Sequence, residues 1–221
     1  MTRVAYAHQI QELQESIVAM ASQVDKAIAR SSDALARQDV DLARAVMEAD
    51  REINRVRWQI EERALLTLAT QAPIARDLRL ISSVIHIATE LERMADHAAG
   101  NAKIARLTAD EALLKPLVDI PRMADATRAM LSESITAFIA ADAEAARALF
   151  ARDDEIDHLY NQIYRELLTY MLADPSTINR ATHLLWAAHN LERIGDRVTN
   201  ICERIVFMAT GRLEELATSS V

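Results

Sequence analysis

The sequence is poor in the residues that build turns and sheets. Gly occurs 3 times, Pro 4 times, and aromatic residues make up 4% of 221. Average usage would supply roughly 15 glycines. Sheets need β-branched and aromatic residues in their strands and Gly and Pro in their turns. A chain short of these and rich in Ala, Leu, Arg and Glu reads as all-helical, with few and short loops. The single cysteine, Cys202, rules out an internal disulfide, a thiolate zinc site and a CxxC redox pair. It also fits a reducing compartment. Positive charge is in deficit: 25 Lys+Arg stand against 33 Asp+Glu, a net charge of −8. Such a surface repels phosphate backbones, which argues against direct DNA binding. Uncharged runs such as 80–89 and 181–191 reach only about 10 residues, against about 20 for a membrane span. The first ten residues lack a basic segment followed by an apolar core, so no signal peptide is expected. The expectation is a cytoplasmic protein, peripheral to a membrane at most.

What the chain does contain is a repeat. The segment Leu35–Asn54 recurs at Phe138–Asp157 with an offset of 103, pairing Asp39 with Asp142, Asp50 with Asp153 and Ile53 with Ile156. Leu91-Glu92-Arg93-Met94-Ala95-Asp96 recurs as Leu191-Glu192-Arg193-Ile194-Gly195-Asp196, now at an offset of 100. The first copy therefore carries three more residues near 71–77, around Pro73. Two copies, 1–108 and 112–221, account for nearly the whole chain.

Each copy shows three helical stretches. Ile10, Leu13, Ile17, Met20, Val24, Ile28 and Leu35 recur at threes and fours, the seam of a packed helix. Asp39 or Asp41 is placed to cap a second helix carrying Val46, Ile53, Val56, Ile60 and Leu68. Pro73 ends it, and a third helix follows with Leu78, Ile81, Val84, Ala88, Leu91, Ala95 and Ala102. Residues 107–111 read as the joint. The second copy is expected to run as helices over roughly 114–140, 142–172 and 176–213, with Pro116 and Pro121 disturbing the start of the first. Short loops force antiparallel neighbours. The fold class is all-α: two tandem, pseudo-symmetric, antiparallel three-helix bundles.

Helical spacing at 100° per residue places acids beside the apolar seams. Measured from Ala88, Glu92 falls at about 40° and Asp96 at about 80°, while Arg93 and His97 point outward. Glu192, Asp196 and Asn200 form the matching row in the second copy. Asp50 with Asn54, and Asp153 with Asp157, flank Ile53 and Ile156 in the same way. Like charges at i, i+4 repel, and half-buried they cost more unless a cation or donors satisfy them. Two readings meet these rows: oxygen-ligand metal sites, or salt bridges to arginines such as Arg57 or Arg63. Positions in the hairpins favour facing pairs, since Asp157 and Glu192 lie equally far from the turn at 174–175, as do Asn54 and Glu92 from Pro73.

Leu191-Glu192-Arg193-Ile194-Gly195-Asp196-Arg197-Val198-Thr199-Asn200-Ile201-Cys202-Glu203 resembles the signature helix of the PhoU family, regulators of the phosphate-specific transport system. The stretch 179–192 resembles the lead-in to that helix, and 73–79 the first-repeat loop. The resemblance implies two tandem three-helix bundles, often paired as a homodimer. It also implies (E/D)xxxD motifs that bind iron, zinc or other metals such as manganese or magnesium. These motifs match Asp153/Asp157 and Glu192/Asp196 fully, with Asn200 following, and Glu92/Asp96 in the first copy. At Asp50/Asn54 an Asn replaces the second acid, and Gly100 stands where Asn200 would correspond. Glu61, near the shoulder of Asn54, is a candidate to compensate. The implied role is negative regulation of phosphate uptake and starvation signalling, without enzymatic activity, between the ATPase subunit of a phosphate ABC transporter and a sensor histidine kinase.

Two other readings compete. A ferritin-like di-metal carboxylate enzyme would use Glu-x-x-His pairs, but the one present, Glu155/His158, falls on the outer face. A metal-free helical adaptor would share the fold and lack the ions. Trp58, Trp186, His183 and His189 read as packing or interface residues, and Cys202 as a buried, inert thiol.

Overall fold

In a computed structural model the described residues run from 3 to 214, with side chains from Tyr6 onward. They form seven α-helices: α1 (Arg3–Arg37), α2 (Val40–Gln71), α3 (Ala75–Leu107), α4 (Asp119–Ala140), α5 (Ala143–Phe150), α6 (Asp153–Ala173) and α7 (Ile178–Thr210). A short 3-10 turn, Pro175–Thr177, leads into α7. Among the described residues there is no strand, as the composition implied.

The repeat is visible in the caps. Asp39 accepts from the Leu42 amide at the start of α2, and Asp142 accepts from the Glu144 and Ala145 amides at the start of α5. The residue before each cap is left-handed, Gln38 at φ 53° and Ala141 at φ 51°. In both turns the aspartate amide donates back to the preceding helix, Asp39 to Ala34 and Asp142 to Ala137, each at 3.0 Å. Corresponding residues of the two turns are 103 apart, the offset read from the sequence. α1, α2 and α3 form the first antiparallel bundle. α4, the α5–α6 pair and α7 form the second.

Two sequence expectations need correction. The helix expected from 114 begins at Asp119. A residue before proline is steered away from helical angles, so Pro116 keeps Lys115 out of the helix. Pro121 is tolerated because it sits in the first turn, where its missing donor is not needed. The joint between copies is accordingly 108–118, longer than expected. The single helix expected over 142–172 is broken at Ala151 and Arg152. Three successive acids, Asp153, Asp154 and Glu155, follow the break. They would repel one another within a helix, whereas the positive end of the α6 dipole stabilises them. The first copy has Arg51 between Asp50 and Glu52, and α2 runs through without interruption.

The bundles share one core. α3 packs on α1, α2 and α7 at once, and its buried positions include Ile81, Val84, Ile87, Leu91, Met94, Ala98 and Ala102. α3 and α7 run antiparallel: Arg79 donates to the Met208 carbonyl, Ser83 to that of Arg204, Arg197 reaches Glu90, and Asn190 meets His97 and Asn101. On the opposite face Arg128 of α4 binds Asp25 of α1 at 2.8 Å. These two residues are themselves 103 apart, so the pair lies on the pseudo-dyad relating the bundles.

Candidate metal centre

Each hairpin brings its acids together. In the first repeat, α2 and α3 place Asp50, Glu92 and Asp96 near one another. Asp50 is half-buried, and burial followed by the charge of Asp96 raises its pKa above the ordinary carboxylate value. Burial, followed by Asp96 and against the opposing pull of Arg57, raises that of Glu92. Asp96 itself is exposed, and the Asn54 Oδ1 is buried with no hydrogen-bond partner. Arg57 binds Glu61 at 2.6 Å and stacks on Trp58 with its guanidinium 3.7 Å from the ring centre. Glu61 is thereby engaged with Arg57, not free to replace the acid missing at Asn54.

The second repeat goes further. α6 and α7 bring together Asp153, Asp157, Glu192 and Asp196. Asp153 is 4% exposed and has no hydrogen-bond or ion-pair partner among the described residues. Its pKa is pushed up to about 7, first by burial and then by the charges of Asp157, Asp196 and Glu192. Burial also raises Asp157, helped by Asp196, and Glu192, helped by Asp196 and opposed by Arg193. The deep seat of Asp153 depends on Gly195 across the helix interface. A Cβ at Gly195 would come within 3.0 Å of both the Asp153 Oδ1 and the Ile156 Cδ1. The first repeat has Ala95 at the corresponding place.

Arg193 is the cation now closest to these acids, with Nη1 2.9 Å from Asp196 Oδ2 and Nε 3.0 Å from Glu192 Oε2. The second contact is misaligned for a hydrogen bond, and Glu192 Oε2 stays buried without a donor aimed at it. Its counterpart Arg93 turns instead to Glu90, 3.7 Å away. His189 lies on the other side of Glu192, with Nδ1 3.3 Å from Oε2 and its ring tilted against Tyr160 of α6. Among the described residues no three carboxylate, imidazole or thiol groups already form a cage for an ion. The donor set nevertheless fits a hard or borderline cation: four carboxylates, one of them buried and unpartnered, beside one orphaned carboxylate oxygen.

The remaining candidates fall elsewhere. Asn200 is turned to the other repeat, where its Nδ2 donates to Glu90 Oε2 at 3.1 Å. His97, expected to point outward, lies half-buried in the α3–α7 seam with Nδ1 3.3 Å from Asn190 Oδ1. Glu90 with Arg197 and Asn190 with His97 are two images of one contact, since each partner is displaced by 100. The wheel missed this seam because it followed one apolar stripe, while α3 and α7 each bury a second face. Glu155 and His158 are exposed. Cys202 is buried, and burial pushes its thiol up to about 12. Trp58 and Trp186 are 59% and 54% exposed, so neither is a core residue. Sequence reasoning also passed over Gly195 and Arg193, although the Arg93/Arg193 and Ala95/Gly195 pairs are visible in the repeat alignment.

The family model for the PhoU domain matches residues 17–105 and 120–205, one match per bundle. The chain belongs to the PhoU family. It is 34% identical to a phosphate-specific transport system accessory protein PhoU homolog of Clostridium acetobutylicum, covering 98% of this chain and 99% of that one. It is 38% identical to the protein of the same description from Aquifex aeolicus, with 93% of each chain covered. Among solved structures, PhoU from Pseudomonas aeruginosa superposes with a TM-score of 0.89 at 32% identity, covering 94% of this chain and 100% of the other. The phosphate transport system regulatory protein PhoU from Streptococcus pneumoniae gives 0.88 at 29% identity, covering 95% and 99%. The PhoU fold, two helical bundles without a sheet, is therefore the fold of this chain.

Proposed function

We propose that this PhoU-family protein is the accessory regulator of a phosphate-specific transport system. It lowers phosphate uptake and starvation signalling when phosphate is plentiful. The observation that carries this reading is full-length similarity, through both bundles, to proteins described as accessory or regulatory to that system. It works by contact, between the ATPase subunit of the phosphate ABC transporter and the sensor histidine kinase, from the cytoplasmic side and as a homodimer. Among the described residues no helix is long and apolar enough to cross a membrane, so docking onto membrane machinery occurs through the protein surface. A non-enzymatic role is supported by the description of the relatives as accessory or regulatory proteins. A groove of about 600 Å³ runs between α1 and α4. It lies apart from both acid clusters. Deleting the gene should raise transcription of phosphate-starvation genes in rich phosphate, and unchanged expression in a strain with no second copy would overturn the reading.

The acid clusters belong to the same reading as metal sites. In the second repeat Asp153, Asp157, Glu192 and Asp196 would hold the ion, and in the first Asp50, Asn54, Glu92 and Asp96. A bound divalent or trivalent cation would supply the positive charge that the neighbouring carboxylates lack, four in the second repeat and three in the first, joining α6 to α7 and α2 to α3. The second site, with more acids, is expected to bind more tightly. After dialysis against buffered metal, Asp196→Ala should lose about one equivalent while Asp96→Ala keeps the tighter one. Equal contents in wild type and both variants would return the rows to salt bridging.

A further inference from the structure

The two clusters differ in one donor type that the repeat does not duplicate. His189 on α7 stands three residues before Glu192, and its Nδ1 is 3.3 Å from Glu192 Oε2. The corresponding residue of the first repeat, 100 positions earlier, is Thr89, whose hydroxyl donates to the Ile85 carbonyl within its own helix. We propose that His189 is a nitrogen ligand of the second-repeat site, which makes that site selective for zinc- or iron-class ions, while the all-oxygen first site takes harder cations such as manganese or magnesium. This rests on the metal reading given above and adds the class of ion each repeat takes.

Several observations meet at this point. Glu192 Oε2 is buried and has no donor aligned with it, so it keeps a free lone pair beside the imidazole. Two donors each about 2.0–2.1 Å from one zinc ion, at a tetrahedral angle, sit roughly 3.3 Å from each other. The 3.3 Å between Nδ1 and Oε2, an ion-pair distance in the metal-free chain, is also compatible with two ligands of one ion. Asp153, 4% exposed and without hydrogen-bond or ion-pair partner, supplies a second carboxylate in the same cluster. Tyr160 tilts against the ring of His189, with centroids 6.2 Å apart, and holds it between α6 and α7. Arg193, 41% exposed, pairs with Glu192 and Asp196 and would have to release them toward solvent as the ion arrives. Imidazole favours zinc, iron and copper over magnesium, calcium and manganese, which prefer oxygen.

The test uses the full-length protein carrying Asp96→Ala, so that the second site is read alone. Zinc and manganese affinities are measured by competition with a chromophoric chelator, and the imidazole nitrogens of His189 are followed by NMR on zinc addition. In this background zinc should bind more tightly than manganese. The Nδ1 resonance of His189 should move on zinc binding. His189→Ala should lose at least about tenfold in zinc affinity with manganese little changed, and His189→Glu should recover binding with a preference shifted toward manganese. Equal zinc affinity in His189→Ala, with Nδ1 unmoved, would overturn the nitrogen ligand and leave His189 as a neighbour of Glu192 only. Absence of any zinc or manganese from the second site of the parent protein would overturn the metal reading beneath it.

Discussion

Asp153 shows how one residue departs from its image. Asp50, its counterpart in the first repeat, is half-buried on a continuous helix. Asp153 sits in the first turn of a separate helix, almost fully buried, because Gly195 leaves room for it and the α6 terminus favours acids there. Burial and the acids around it push its carboxyl up to about 7 in the folded chain, from an ordinary 3.8. The folded state then holds a proton that the unfolded state has already released between those two values. Stability falls as pH rises through that window and levels off above it. Metal-free protein, kept with chelator, should be more resistant to urea near pH 5 than near pH 8. Asp153→Asn should flatten part of that slope, the remainder coming from Asp157 and Glu192, which shift in the same direction. A slope unchanged in Asp153→Asn would place the coupled proton elsewhere.

At the scale of elements, the sequence was most legible where local chemistry is strong. The apolar recurrence from Leu13 to Leu35, the Asp39 and Asp142 caps and the Pro73 turn all appear where the residues put them. The break at Ala151–Arg152 was not legible, because neither Gly nor Pro marks it. It follows from electrostatic repulsion among three acids and from a glycine on another helix. Leu78 was assigned to a seam but is 46% exposed. The acid rows were legible as rows, and the hairpin distances correctly brought Asp157 and Glu192 together. The seat of Asn200 depends on the other repeat and was out of reach of a single-helix wheel. The matched turns offer a check on this local chemistry. Ala141 holds a left-handed conformation that costs an L-residue about 1–2 kcal/mol, and glycine removes that cost at some loss of backbone entropy. Ala141→Gly should therefore raise unfolding free energy by about 0.5–1 kcal/mol. Gln38→Gly at the equivalent turn should gain nothing, because the Gln38 amide donates to the Thr108 and Glu111 carbonyls at 2.8 and 2.6 Å. Urea titration of the two variants decides it.

At the scale of the molecule, duplication has produced two bundles but a single core. Viewed one at a time, the first repeat has the three helices the sequence implied, and the second has four because its middle helix is split into α5 and α6. Yet α3 and α7 are buried against each other as well as against their own bundles, and the apolar cluster runs without interruption from Leu13 to Met208. Separating the repeats would expose the inner face of both helices, including Ser83 and Asn101, each wholly buried and hydrogen-bonded across the seam. Uncovering those faces removes a large share of the burial that stabilises either half. The repeats should accordingly unfold together in one cooperative step. The chain supplies a probe for each half: Trp58 on α2, stacked under Arg57, and Trp186 on α7, edge-on to His183 at 5.7 Å. Both contacts are lost on unfolding, so each tryptophan reports its own repeat. In the single-tryptophan variants Trp186→Phe and Trp58→Phe, the urea midpoints by fluorescence should coincide with each other and with that of helical circular dichroism, all read in excess chelator. Midpoints that separate, with one repeat melting while the other keeps its helix signal, would mean that the α3–α7 seam joins two independently stable domains.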